Sequence, residues 1–457
     1  MDRIWQDVRF AARTLARAPG LSIVAILTLA LGIGANSAVF SLVNTVLIRP
    51  LPFANPDRLV SIFEIRNGSG RQTVSAHEYV AWRDRARSFD GLAMYNFSGR
   101  TLTGRGDPVT LSAQTVTAIF FDVLGIRPIL GRTFRSGEDD ASAARIAVLG
   151  QSVWLSRFGG DSAVVGKRIV LDGAPYEVVG IMSDRGDMSY DLWLPMNLRA
   201  EAIKVGNHSN FVIGRLKAGV TLAGARADLQ TVSRNLAAEM PAANRGHGVE
   251  AASLFDEMVG DVRRPIAIAF GAAAFVLLIA CLNVGNLLLT RAASREKELA
   301  IRTALGAGRA RLMRQLMTEA LMLSVIGGIL GLLVAAWTSD LLPAMSAVHM
   351  PRLAELSVDW RVVGVTGLLC VTSTLICGAI PAIRATQPRI HAWLAEGNRG
   401  AGTPSKRFAS ALVVSQIALA ATLLVGAGLT VKSFAKLLRI QPGFDPQGVL
   451  TVNLPLP

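Results

Sequence analysis

Few residues of this 457-residue chain have the types and spacing that catalysis or metal binding needs. His77, His208 and His247 lie far apart, and the sequence contains neither an HExxH motif nor cysteines and histidines at zinc-binding spacing. A GxSxG nucleophile motif does not occur either. The sequence therefore predicts that the chain is not an enzyme and has no catalytic residue, no resident metal and no cofactor.

Two polar stretches resemble functional motifs only in part. Glu138, Asp139 and Asp140 are adjacent, which is typical of a solvated loop. The stretch from Gly160 to Lys167 has one residue more than a phosphate-binding loop, and Arg168 stands where that loop needs a Ser or Thr to bind magnesium. Any energy that the chain uses must therefore come from a partner protein or an ion gradient.

The composition is typical of a membrane protein. Hydrophobic residues make up 51% of the chain and charged residues 18%, and the mean hydropathy is +0.41. This hydrophobicity excludes a disordered chain, and the three cysteines exclude a disulfide scaffold. Five windows are long enough to span a membrane and contain no Asp, Glu, Lys or Arg: 21–47, 266–290, 320–339, 362–383 and 408–431.

The first window also resembles a cleaved signal peptide, because it has a positive start, an apolar core and small residues near Ala35 to Ala38. The apolar run continues past that point to Leu47, which makes it longer than a signal core. We therefore favour a retained membrane span.

Lysine and arginine are concentrated in three short segments, 1–20, 291–319 and 384–407, which together hold 16 basic and 6 acidic residues. The long segment 48–265 is nearly balanced, with 26 basic and 23 acidic residues. Because positive charge marks the cytoplasmic side, the N-terminus is predicted to be cytoplasmic and the long segment to lie outside. The basic charge then reports topology, so we expect contact with membrane lipid and no nucleic-acid partner.

The exported segment is predicted to be an α+β domain. Ser75 and Glu78 fit a capping box that is followed by apolar residues at helical spacing, which predicts a helix over 75–88. A second helix is expected from about Leu222 to Glu239. The pattern also predicts a buried strand over 146–149 and two strands over 168–179 around an Asp172-Gly173 turn.

The basic segment 291–319 contains good helix formers from Arg295 to Leu305, and Gly306 and Gly308 can end such a helix. Its mixture of charged and apolar residues would let it lie at the membrane surface. The alternative is a solvated loop with ordinary positive-inside charge.

Residues 1–20 are predicted to form a cytoplasmic amphipathic helix on anionic lipid. Its apolar stripe would contain Ile4, Val8, Ala12 and Leu15, and its basic stripe would contain Arg9, Arg13 and Arg17.

Several stretches resemble MacB-like/FtsX-like ABC transporter permeases, in the same order along nearly the whole chain. The most telling is Arg295-Glu-Lys-Glu-Leu-Ala-Ile-Arg-Thr-Ala-Leu-Gly-Ala307, which is similar to the family's cytoplasmic signature. The others are Leu31-Gly-Ile-Gly-Ala-Asn-Ser37, Arg49-Pro-Leu-Pro-Phe53, Asn55-Pro-Asp-Arg-Leu-Val60, Phe121-Asp-Val-Leu-Gly125, Gly131-Arg-Thr-Phe134, Val179-Gly180 and Asp191-Leu-Trp-Leu-Pro195.

The resemblance implies a multi-pass α-helical membrane protein of the bacterial plasma or inner membrane, with an α+β extracytoplasmic (periplasmic core) domain between the first and second transmembrane helices. It implies a separate cytoplasmic ABC ATPase subunit as partner, and a dimer with itself or with another permease half. The ATPase would push on a coupling segment, and the extracytoplasmic domain would move to expel or extract substrate.

The resemblance also assigns the coupling residues. Glu296, Glu298 and Arg302 would make polar contacts to the ATPase, and Ile301 and Leu305 would fill its groove. The full set is Arg295, Glu296, Glu298, Ile301, Arg302, Leu305, Gly306 and Ala307.

The predicted organisation follows the charge and hydropathy pattern. It is a cytoplasmic helix (1–20), a first span (21–47), the periplasmic core domain (48–262), a second span (266–290), the coupling segment (291–319), a third span (320–339), a fourth span (362–383), a cytoplasmic linker (384–407), a fifth span (408–431) and the start of a second, incomplete extracytoplasmic domain (432–457). Residues 1–383 supply one family unit, so we expect a duplicated permease that is truncated or continues beyond this sequence.

Three other functions stay open. An FtsX-like membrane regulator would act on an extracytoplasmic partner without cargo. An ion-coupled carrier needs paired charges inside the membrane, and the five windows have none. A surface-anchored enzyme would need a catalytic cluster that the sequence does not reveal.

Overall fold

The computed structural model describes residues 2–66, 70–104, 106–140, 145–183, 190–203, 207–241, 246–294, 308–345, 352, 355–385 and 404–438. Its residues divide into two compact units. One unit consists of residues before Arg49 and after Asp261, and the other is built from Arg49–Asp261.

The chain begins with two helices, α1 (Asp2–Ala16) and α2 (Pro19–Val43), which belong to the first unit. Pro19 starts α2, where its missing N–H costs no hydrogen bond. The Ser22 hydroxyl donates to the Leu15 carbonyl at 2.9 Å and so ties the two helices together. A π-helical turn, Asn44–Ile48, extends α2.

The described residues of the second unit form one sheet of twelve strands. The strand order is β12-β1-β11-β4-β5-β10-β7-β9-β6, with β2 beside β1, β3 beside β11, and β8 beside β4 and β9. The strands are β1 (Leu59–Arg66), β2 (Gly70–Gln72), β3 (Val74–Ser75), β4 (Phe89–Thr103), β5 (Val109–Val116), β6 (Leu130–Gly131), β7 (Ile146–Gly150), β8 (Arg168–Leu171), β9 (Ala174–Met182), β10 (Leu192–Pro195), β11 (His208–Leu216) and β12 (His247–Ser253).

Helices connect the strands of this sheet, and the two that the sequence predicts begin at residues whose side chains cap them. The Thr221 hydroxyl oxygen accepts from the amide of Gly224 at 3.2 Å, which caps the second predicted helix where the sequence placed it. The helices are α3 (Ala76–Arg85), α4 (Phe120–Leu124), α5 (Gln151–Phe158), α6 (Leu198–Ile203) and α7 (Leu222–Glu239).

Helix α3 confirms the predicted capping box but is shorter than predicted. The Ser75 hydroxyl accepts from the amide of Glu78 at 3.3 Å. The helix ends at Arg85 rather than at residue 88, because the carboxylate of Asp228 accepts hydrogen bonds from the amides of Arg87 and Ser88 at 2.7 and 2.8 Å. Those amides are then unavailable for another helical turn.

The predicted hairpin is also confirmed. Strands β8 and β9 pair from Arg168 with Glu177 to Leu171 with Ala174. Asp172 and Gly173, at φ 49° and 79°, form the two-residue turn, whose positive φ angles match the twist of the flanking strands. The Asp172 carboxylate is held by the amide of Thr101 at 2.8 Å.

Large side chains fill the core of this unit. Trp193 is 1% exposed, and its indole N–H donates to the Oε1 atom of Gln114 at 2.9 Å, so the buried indole nitrogen has a hydrogen-bond partner. The other largest fully buried side chains of the unit are Trp82, Tyr79, Phe120, Phe121, Leu59, Ile62, Met94, Leu124 and Leu149.

Two glycines allow a close backbone contact beside β9. The amide of Arg132 donates to the carbonyl of Val179 at 2.9 Å. A Cβ atom on Gly180 would overlap the Arg132 carbonyl oxygen, and one on Gly131 would overlap the Val179 carbonyl oxygen. Gly131 and Gly180 belong to two of the motifs on which the family resemblance rests. Both positions need glycine because the two backbones are too close for a Cβ atom.

The remaining helices are long and apolar. They are α8 (Leu254–Ser294), α9 (Arg309–Met345), α10 (Trp360–Ala385) and α11 (Pro404–Leu438). The described residues contain five helical stretches apolar and long enough to cross a membrane: Pro19–Ile48, Leu254–Arg291, Ala310–Ser339, Trp360–Ala379 and Val413–Lys436. The predicted class, a multi-pass helical membrane protein with an α+β domain after the first span, is confirmed.

Helix α9 packs against α2 through small residues. A Cβ atom on Gly331 would lie 2.7 Å from the amide nitrogen of Gly34 and 2.8 Å from the carbonyl oxygen of Ala30. One turn earlier, a Cβ on Gly327 would lie 2.9 Å from that of Leu29. Membrane helices have no hydrophobic driving force towards one another, so this close approach supplies the packing energy that holds them.

Polar side chains inside the bundle bond to neighbouring helices. The Asn36 side-chain amide donates to the carbonyl oxygens of Gly32 on α2, at 2.8 Å, and of Ala273 on α8, at 2.6 Å. The hydroxyls of Ser37 on α2 and Thr366 on α10 lie 2.8 Å apart. These bonds connect α2 to two other helices without charged groups.

In contrast, none of the apolar window of α11 is buried against the rest of the described chain.

The unit built from Arg49–Asp261 is called the soluble unit below. We expect Gly180→Ala to lower the free energy of unfolding of the soluble unit by about 2 kcal/mol, because the Arg132 carbonyl must move. Urea-dependent proteolysis of the full chain in detergent measures the change. The matched control is Gly99→Ala in β4, where the nearest atom to the new Cβ is 3.5 Å away. Equal effects of the two substitutions would contradict the steric explanation.

We expect Gly331→Ala to destabilise the helix bundle by a similar amount, about 2 kcal/mol, by forcing α9 away from α2. The readout is the thermal midpoint of the full chain in detergent, followed by tryptophan fluorescence. Gly364→Ala on α10 is the control, since nothing lies within 4 Å of its Cβ position. A Gly331→Ala midpoint equal to that of the control would rule out the tight contact.

Candidate coupling site

The predicted coupling residues lie between α8 and α9, outside the described residues. They are Arg295, Glu296, Glu298, Ile301, Arg302, Leu305, Gly306 and Ala307. Their side-chain positions stay predictions, and what the structure provides is the surroundings: the end of α8 at Ser294 and the start of α9 at Arg309.

Helix α1 contacts both helices that flank the coupling segment. Arg314 of α9 donates from Nε to the Oδ2 atom of Asp7 at 2.6 Å. The Arg291 guanidinium, in the last turn of α8, donates to the carbonyl oxygen of Thr14. One short helix is therefore bonded to the helix before the segment and to the helix after it.

The buried face of α1 differs by one position from the predicted stripe. Ala12 is exposed, whereas Ala11, Thr14 and Leu15 are buried. The predicted stripe assumes a helix that rests on lipid. Helix α1 instead packs against α9 and α2, and these helices determine which of its residues are buried. The predicted basic residues Arg9, Arg13 and Arg17 are exposed, as expected for a face that meets water or lipid headgroups.

A second group of chemically capable residues lies in the soluble unit. Glu64, His208 and His247 each offer one ligand atom within 4.8 Å of the others, and they are the only such histidine, cysteine or carboxylate group in the parts of the chain that are described. His208 Nδ1 is 2.8 Å from Glu64 Oε2, and His247 Nδ1 is 2.5 Å from Glu64 Oε1. The Glu64 side chain is completely buried.

A second carboxyl group borders this cluster. Glu78 Oε1 lies 3.7 Å from His247 Nδ1, and the Glu78 side chain is 5% exposed. Burial, a hydrogen bond with Glu64 and the charge of that carboxylate together raise the pKa of Glu78 to about 10.

The sequence analysis missed this group because no local spacing links its members. Glu64 is in β1, His208 begins β11 and His247 begins β12, and only the pairing of distant strands brings them together. The one usable signal is an acidic residue between two apolar ones, Phe63 and Ile65, in the strand Leu59–Arg66.

Family models match the two parts of the chain in order. Residues 22–232 match the MacB-like periplasmic core domain, and residues 270–389 match the FtsX-like permease C-terminal domain. The second match contains the predicted coupling residues.

Curated relatives agree with both matches. The pyoverdine export ATP-binding/permease protein PvdT of Pseudomonas syringae pv. syringae (strain B728a) is 28% identical over 268 residues, which cover 57% of this chain and 39% of that protein. The macrolide export ATP-binding/permease protein MacB of Neisseria gonorrhoeae (strain ATCC 700825 / FA 1090) is 27% identical over 303 residues, covering 64% of this chain and 44% of that protein. The chain spans about two-fifths of the length of these relatives.

Among solved structures, the periplasmic region of MacB from Actinobacillus actinomycetemcomitans aligns at a TM-score of 0.35 with 16% identity, and the alignment covers 45% of this chain and 92% of that one.

The two domain matches, their order and the apolar helices lead to one conclusion. The chain is a bacterial membrane protein and belongs to the MacB-like and FtsX-like family of ABC transporter permeases.

Proposed function

We propose that this chain is the permease subunit of an ABC exporter and is moved by a separate cytoplasmic ATPase. The observation that carries the proposal is the pair of family matches, which cover both permease parts of the chain in the family's order. The names of the relatives join an ATP-binding part to a permease, whereas the regions of this chain that match are permease domains. In the proposal, a separate ATPase of the kind that the family resemblance implies docks on the coupling segment.

The proposed path of force starts between α8 and α9. Helix α8 is continuous from Leu254, the residue after β12, to Ser294, the residue before the coupling residues. Its 41 residues correspond to a length of roughly 60 Å. In the proposal, a push on the segment is transmitted along this helix, which contains one internal proline, Pro265.

Helix α1 supports this role. Its bonds to Arg291 and Arg314 hold the ends of α8 and α9 that flank the segment. The two helix ends then move together when the ATPase pushes, rather than spreading apart.

The proposal also covers the side of the membrane on which each segment lies, the dimer and the direction of export. The excess of basic residues in the N-terminus, the coupling segment and the linker 384–407 supports a cytoplasmic location for these segments and an outside location for the soluble unit. The permease works as a dimer, with a second copy or with another permease half. Its movement expels a substrate at the outer side, as the export functions in the names of its relatives suggest.

The coupling role predicts that Glu298→Ala together with Arg302→Ala will reduce stimulation of the co-purified ATPase by about tenfold, the equivalent of about 1.4 kcal/mol of lost interaction. ATP hydrolysis by the complex in nanodiscs is the readout, and binding of the ATPase is measured separately. Glu396→Ala with Arg399→Ala, in the linker, is the matched control and should leave stimulation unchanged. Full stimulation of the first double variant would contradict the assignment.

The topology predicts opposite labelling of two single cysteines. Asn207→Cys should react with a membrane-impermeant maleimide in intact spheroplasts, and Thr303→Cys should react only after the membrane is opened. The native cysteines, Cys281, Cys370 and Cys377, are buried in helices and provide a low background. Labelling of Thr303→Cys in intact spheroplasts would invert the proposed topology.

A further inference from the structure

We infer that Glu64, His208 and His247 bind a divalent transition-metal ion of the zinc type in the soluble unit. The site is independent of the proposed transport function, because its residues all lie in Arg49–Asp261 and its test does not require an ATPase.

The ligand set fits this class of ion. Two imidazole nitrogens and one carboxylate oxygen suit zinc and its neighbours, whereas magnesium and calcium prefer oxygen ligands alone. Ligands bound at about 2.0–2.2 Å around a tetrahedral zinc lie roughly 3.4 Å from one another. The three ligand atoms are already within 4.8 Å of one another, so small side-chain rotations suffice.

Two buried atoms of the cluster lack the partner that an ion would supply. Glu64 Oε1 and His247 Nδ1 approach to 2.5 Å, but their geometry makes no hydrogen bond, and neither atom has another partner in the described part of the chain. Glu64 is fully buried and His247 is 8% exposed. Buried polar atoms are rarely left unsatisfied, and a shared cation would satisfy both.

The sheet holds the ligands in place before any ion binds. Strand β1 pairs with β12 as far as Arg66 opposite His247, so His247 is diagonally adjacent to Glu64. On its other side, β1 pairs with β11 only as far as Ile62 and then with β2, where Glu64 faces Gln72. Beyond this point β1 pairs with β2 and β11 pairs with β3, and His208 Nδ1 lies 2.8 Å from Glu64 Oε2.

Glu78 can complete the coordination. Its Oε1 atom is 3.7 Å from His247 Nδ1, and its Oε2 atom is buried without a hydrogen-bond partner among the described residues. A His₂Glu set with a second carboxylate nearby gives zinc four protein ligands, which is usual for structural sites. The His208 side chain, at 21% exposure, is the open side through which an ion can enter.

The bound ion would connect the first long strand of the soluble unit to its last two. Strands β1, β11 and β12 are neighbours in the sheet but are separated by about 140 residues or more of sequence between Glu64 and either histidine. An ion that binds the folded arrangement and not the unfolded chain raises stability. Zinc should therefore raise the thermal midpoint.

The test uses the metal-stripped full chain in detergent, titrated with Zn²⁺ in a calorimeter. We expect about one ion per chain and a higher thermal midpoint with zinc than without it. Glu64→Gln, His208→Gln and His247→Gln should each weaken binding at least ~10-fold. His77→Gln removes a histidine outside the ligand set and should bind as the wild type does.

Cobalt(II) distinguishes this site from the cysteines and protects the test against unfolded variants. The wild-type chain with Co²⁺ should show visible bands of low-symmetry nitrogen and oxygen coordination, without the charge-transfer bands of thiolate ligands. Wild-type chain that binds no Zn²⁺, thiolate bands in the cobalt spectrum, or equal zinc affinity of His247→Gln and His77→Gln in folded protein would each overturn the inference. If a ligand variant fails to fold, the wild-type titration and spectrum decide.

Discussion

The bundle of long apolar helices depends on the close approach of two helix backbones, those of α2 and α9. Within a bilayer no water is present to bond exposed polar groups, and lipid is as apolar as leucine, so helices associate only where they fit closely. Gly34 and Gly331 remove the side chains that would separate α2 from α9, and Asn36 and Ser37 bond across to α8 and α10. These contacts connect α2 to α8, α9 and α10.

That connected bundle is what the proposed mechanism requires. A force applied between α8 and α9 moves the soluble unit only if the helices do not simply slide apart. The glycine contact resists sliding at the centre of α2 and α9, and α1 resists it at the ends of α8 and α9. The proposed coupling depends on both sets of contacts.

Sequence reasoning succeeded where the signal is local. The hairpin at Asp172 and Gly173 and the cap at Ser75 are determined by a few adjacent residues, and both are present. Prediction from the sequence is incomplete where residues far away in the chain determine the local structure. Helix α3 ends early because Asp228 captures two amides about 140 residues upstream, and no pattern near Arg85 announces this.

The two candidate sites also differ in whether neighbouring or distant residues form them. The coupling residues were predicted from a contiguous stretch that resembles a family signature, and they lie outside the described residues. The Glu64 cluster was missed because strand pairing alone assembles it, across separations that no motif spans. The sheet order, in which β12 and β11 enclose β1, likewise follows from long-range pairing that periodicity cannot specify.

The most direct measurement of the central claim is a distance in the soluble unit under ATP hydrolysis. A spin label on Asn207→Cys, in the permease reconstituted with the proposed ATPase partner in nanodiscs, reports the separation between the two copies of the proposed dimer by pulsed electron paramagnetic resonance. The account predicts that the distance distribution shifts when ATP is trapped with vanadate and returns when nucleotide is removed. An identical distribution in both states, while ATP is being hydrolysed, would contradict it.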